Sequence, residues 1–97
     1  MEKNSYYTEI VFRKFSNGEV IALMPYQIST GRYITSYVHV GQHGDADYNA
    51  VINNTKAATE EEYYALKCEL ESIGYRIQVI TKKNNRKFLQ AYREAHK

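Results

Sequence analysis

The chain is short of the features that would have made its class obvious. Cys68 is its only cysteine, so no disulfide can form within it, and a secreted domain this small would usually need such staples. It has no tryptophan and a single proline, Pro25. No apolar stretch approaches the length of a membrane span; the longest, Val20 to Pro25, is far too short. Met1-Glu2-Lys3-Asn4-Ser5 carries no apolar signal-peptide core. These absences lead to the expectation of a cytoplasmic protein with no membrane partner. Also missing are the nucleophile elbow G-x-S-x-G, the P-loop, the dinucleotide fingerprint and CxxC.

What is there fits one domain spanning residues 1–97. The net charge is only +2, yet it is divided unevenly. Residues 1–81 sum to −3, and residues 82–97 to +5 through Lys82, Lys83, Arg86, Lys87, Arg93 and Lys97 against Glu94. A basic segment on a mildly acidic body suits a polyanion, or an acidic patch on the same chain or a second copy. Tyrosine is abundant, with ten residues, and its apolar ring with a polar tip suits interfaces.

Local patterns predict the elements. Residues 6–14 alternate as a strand, Asn17-Gly18 marks a hairpin, and Glu19 to Met24 return with apolar residues on both faces. Pro25 is expected to end that strand. A third strand, Arg32 to Val40, sets Ile34, Val38 and Val40 on a core face, with Ser36 between them. Tyr33, Thr35, Tyr37 and His39 lie on the other. Gly41 to Asp45 read as a loop, and Tyr48 to Ile52 as either a strand or a helical turn. Thr59 and Glu62 form a capping box for a helix whose stripe is Tyr63, Leu66, Leu70 and Ile73, closed by Gly74. Tyr75 to Thr81 make a fourth strand. A last helix, capped at Asn84 or Asn85, runs to about Ala95 with Phe88, Leu89, Tyr92 and Ala95 on its apolar face. The fold class expected is α+β: a mainly antiparallel four-stranded sheet, β-β-β-α-β-α, with two helices packed on one face.

Several stretches together carry a resemblance: Val20-Ile21-Ala22-Leu23-Met24-Pro25-Tyr26, Ser36 to Gly44, Asp47-Tyr48, Ala58 to Tyr63, and Glu69-Leu70-Glu71-Ser72-Ile73-Gly74-Tyr75. Across residues 7–95 the chain resembles a family of small uncharacterised proteins encoded by phages and mobile elements of anaerobic gut bacteria. The resemblance implies a mobile-element setting, where small proteins that modulate a host system are common. It transfers no activity, cofactor or site residue.

Three sites can be drawn from the residues. If both helices shield one side of the sheet, Tyr33, Thr35, Tyr37 and His39 form an open face for a protein partner, such as a host or defence-system component. Second, Lys83, Arg86, Gln90, Arg93 and Lys97 fall in one sector of the last helix, a stripe able to contact nucleic acid phosphates. Third, His39, His43, Asp45 and Asp47 crowd one segment and are residue types that hold zinc or another divalent ion. An EF-hand reading of that segment fails, because Ala50 stands where glycine is needed and Lys56 where glutamate is needed. Cys68 lies beside Glu69 and close to Glu71, which disfavour a thiolate. No catalytic residue and no cofactor is implied. The ranking is a non-enzymatic interaction protein first, a nucleic-acid-binding protein second and a small metal-dependent enzyme at residues 39–47 third. Self-association is also open to it, through an aromatic face or an unpaired sheet edge.

Overall fold

The computed structural model of the chain describes residues 7–38 and 42–96. The Asn17-Gly18 hairpin joins β1 (Thr8–Lys14) to β2 (Val20–Ile28). Gly18 takes a positive φ of 94°, which glycine adopts without a Cβ penalty, and Asn17 Oδ1 accepts from Glu19 N at 2.9 Å. Pro25 does not end β2 as predicted. The strand continues through it, because the pairing register with β3 (Ile34–Val38) shifts between Met24 and Ile28 and so tolerates a residue without an N–H.

The segment expected to be a loop is a strand. β4 (Gln42–Ala46) pairs antiparallel with β3, with Tyr37 opposite His43, Ser36 opposite Gly44 and Thr35 opposite Asp45. The ambiguous stretch that follows is a short helix, α1 (Tyr48–Asn53), capped by Asp47, whose carboxylate accepts from Ala50 N. Arg13 reaches from β1 to the other end of α1. It donates to Thr55 Oγ1 and to the carbonyls of Ile52 and Thr55, placing a cation where the helix dipole is negative. The two-residue β5 (Lys56–Ala57) then joins β1.

α2 (Glu60–Ser72) starts with the predicted capping box: Thr59 N donates to Glu62 Oε1 and Glu62 N to Thr59 Oγ1. It ends at Gly74, φ 114°, where Tyr75 N returns to Leu70 O. Of its predicted stripe, Leu66 and Leu70 are buried and Tyr63 stacks on Phe12, but Ile73 is exposed. β6 (Ile77–Ile80) lies parallel to β1, and α3 (Asn85–Ala95) completes the fold. The path through the sheet is β4-β3-β2-β1-β5, with β6 also on β1. The α+β class is as expected, with an antiparallel body and one parallel pairing in six strands rather than four.

The helices do not share one face. Ile10, Phe12, Ala22, Met24 and Tyr37 pack with Leu66 and Leu70 of α2 on one side. Val11, Ile21, Leu23 and Ile34 pack with Phe88 and Tyr92 of α3 and with Val51 and Ile52 of α1 on the other. Both faces are covered because β1 and β2 are apolar on both, and each must be shielded from water.

A basic and aromatic cleft between α1, α3 and the β2–β3 turn

α3 docks through Phe88 and is held at both ends. At its start Asn84 caps Lys87 N, while two tyrosine hydroxyls accept from the preceding backbone: Tyr48 from Lys83 N at 2.8 Å and Tyr26 from Asn84 N at 2.7 Å. At its finish His96 Nε2 lies 2.9 Å from Gly31 O, in the turn between β2 and β3. That turn carries Gly31 at φ 56° and closes with Tyr33 N donating to Thr30 O. It therefore presents Arg32 to α3 and leaves Tyr33 half exposed.

Between these elements lies a cleft of about 460 Å³ lined by Arg32, Tyr33, Asp47, Tyr48, Asn49, Lys83 and Phe88. The Arg32 guanidinium sits 4.9 Å from the Tyr92 ring centre and 5.4 Å from that of Phe88. The Lys83 ammonium sits 4.0 Å from Phe88 and 4.9 Å from Tyr48. Aromatic faces attract both cations, and neither forms an ion pair among the described residues. Partial burial, and then the positive charge of Arg32, hold the Lys83 ammonium below the ordinary lysine value, with Asp47 opposing. Two cations kept close without a paired carboxylate make a site prepared for an anion. Two other clefts among the described residues lack this character. That of about 510 Å³ beside Tyr26 holds Lys87 already paired with Glu9, and that of about 650 Å³ at the β1–β2 turn is lined mainly by small polar side chains with Lys14, Lys56 and Phe15.

One residue from each of the three predicted sites meets here: Tyr33, Lys83 and Asp47. The rest of each set is elsewhere. Tyr37 is 1% exposed, beneath α2, and its hydroxyl donates to Glu69 at 2.5 Å. Thr35 is half-buried on the same side. The predicted open tyrosine face is therefore covered at its centre, because α2 crosses the side of the sheet that was expected to be bare. His39 and Lys97 lie outside the described residues. Arg86 and Arg93 do point outward from α3, exposed and unpaired among the described residues, whereas Lys83 precedes the helix and turns inward over the rings.

Of the predicted metal ligands, the described three, His43, Asp45 and Asp47, do not gather, since among the described residues no three His, Cys, Asp or Glu side chains form a cation-sized group. His43 lies 2.9 Å from the Tyr75 hydroxyl and edge-on to Tyr37, while Asp47 is spent as a cap. The sequence reading missed Arg32, Tyr48 and Asn49 in the cleft. Arg32 had one local signal, its place after Gly31 and before Tyr33.

Among the described residues no helix is long and apolar enough to cross a membrane. No family model, curated protein or solved structure matches the chain.

Proposed function

We propose that this is a non-enzymatic protein that binds single-stranded nucleic acid. The observation that carries the reading is the pairing of Arg32 with Lys83 over Phe88, with no ion pair to either among the described residues, beside the half-exposed Tyr33 ring. A strand's phosphates meet the two cations, and a base stacks on Tyr33. Sequence-tolerant binding of single strands rests on this combination of cationic track and aromatic platform. Arg86 and Arg93 extend the track along α3. A flexible single strand suits it better than a rigid duplex, because the cations sit inside a cleft. A small nucleic-acid-binding protein also fits the mobile-element setting that the resemblance implies.

The test is fluorescence anisotropy with a labelled oligothymidylate, a duplex of equal length and a mononucleotide, at several salt concentrations. The single strand binds best, and log affinity falls with log salt by about 0.7 per phosphate contacted. The Arg32→Met/Lys83→Met double variant binds at least about tenfold more weakly, a loss of about 1.4 kcal/mol. Undiminished binding by that variant would remove the cleft from the reading. Equal binding of the mononucleotide would reassign it to a small phosphorylated ligand.

A further inference from the structure

β4 is the end of the sheet. It pairs with β3 on one side, and none of its backbone groups has another backbone partner among the described residues. A free edge is a template for another strand. The sequence of this edge, Gln42-His43-Gly44-Asp45-Ala46, has a symmetry that chooses the partner.

Two antiparallel copies of one strand, joined in a continuous sheet, are related by a two-fold axis perpendicular to that sheet. Residues opposite each other must then lie on the same face, so the axis passes through a residue and not between two. An axis through His43 sets imidazole against imidazole, and one through Asp45 sets carboxylate against carboxylate, which repel. An axis through Gly44 pairs all five residues, Gln42 with Ala46 and His43 with Asp45 of the second copy. Both His43 and Asp45 are exposed and share one face. Tyr75 engages Nε2 of His43, which leaves Nδ1 for the carboxylate. Gly44 has an ordinary backbone conformation, and a Cβ there would meet only Ser36 Oγ at 3.6 Å. Nothing among the described residues demands glycine, and at the axis it sets no side chain between the two central residues.

We infer that the chain forms a two-fold dimer through β4, closed by two reciprocal His43–Asp45 pairs. The occupant of the edge is a second copy, because the charge pattern is complementary to itself in one register only. This stands apart from the nucleic-acid reading, which uses other residues.

Sedimentation velocity over a concentration series up to about 1 mM tests it. The wild type moves from monomer to dimer with rising concentration. His43→Asp, which sets carboxylate against carboxylate, and Asp45→Lys, which leaves the imidazole without its carboxylate partner, are monomeric throughout. The exchange His43→Asp/Asp45→His restores the dimer, because each carboxylate again faces an imidazole. Circular dichroism shows that all variants are folded. A wild type that stays monomeric, single variants that still dimerise, or an exchange variant that remains monomeric would each overturn the proposal.

Discussion

Arg32 and Lys83 lean on the same ring. The Phe88 phenyl group has the ammonium 4.0 Å and the guanidinium 5.4 Å from its centre, although the two cations are separated by half the chain. Their mutual repulsion is held in check by aromatic faces and by the packing of α3, and any bound anion relieves it.

Lys83 is therefore carried at a cost to the folded state. Its depressed value means that the unfolded chain binds more protons as the pH approaches the ordinary lysine value of 10.5, so this group's contribution favours folding more as pH rises through that window. Lys83→Met keeps the apolar stem over Phe88 and removes the charge. Its melting temperature at pH 7 should equal or exceed the wild type's while oligonucleotide affinity falls, and the difference in stability should narrow above about pH 10. A clear loss of stability at pH 7 would show that the cation–π contacts outweigh the repulsion.

Tyr37, buried in β3, and Tyr33, half exposed just ahead of that strand, should respond in opposite ways. Tyr37→Phe removes the bond to the Glu69 carboxylate and should cost about 1.5–3 kcal/mol in urea unfolding. Tyr33→Ala should change stability by less than about 0.5 kcal/mol and weaken oligonucleotide binding by about 1–3 kcal/mol. If the two variants exchanged phenotypes, the covered position of Tyr37 would be wrong.

The Tyr48 hydroxyl accepts from Lys83 N just ahead of α3. Tyr48→Phe leaves that amide without its acceptor and should cost about 1 kcal/mol. Hydrogen exchange at the Lys83 amide should speed up, since its protection rests on this bond. Unchanged exchange would show that the amide is shielded by other means.

The start of α2 carries a pH signature. Lys14, followed by the Thr59 backbone, holds the Glu62 carboxyl below its ordinary value of 4.5. A depressed carboxylate contributes stability above its unfolded value and loses it as pH falls through the folded one. The gap in melting temperature between wild type and Lys14→Met should be open at pH 7 and close below about pH 4. Thr59→Ala should cost about 1 kcal/mol. A gap as wide at pH 3 as at pH 7 would place the role of Lys14 elsewhere.

What could be read without coordinates was whatever a few neighbouring residues decide. The turn at Asn17-Gly18, the Thr59–Glu62 box and the closing Gly74 are local devices, and each is where the chain pattern put it. β4 was hidden because His43-Gly44-Asp45 has the composition of a loop, and only pairing with β3 makes it a strand. The covering of both faces was visible in Val20 to Met24, apolar on both sides, but Tyr33, Thr35 and Tyr37 look like an open face until α2 is seen to cover Tyr37. The cleft was hidden for a different reason. Arg32 and Lys83 meet only because α3 docks on the β2–β3 turn, and no periodicity records a meeting between distant segments.

The parallel seam between β1 and β6 also bears on how the protein is made. β1 is synthesised well before the strand that covers its open flank, which lies about seventy residues downstream. Until residues 77–80 leave the ribosome, Thr8 to Val11 present an unpaired strand edge beside the apolar side chains of Ile10 and Val11, a surface prone to aggregation. Completion of the sheet thus waits for β6, and shortening the chain before β6 would leave a sticky fragment rather than a smaller domain.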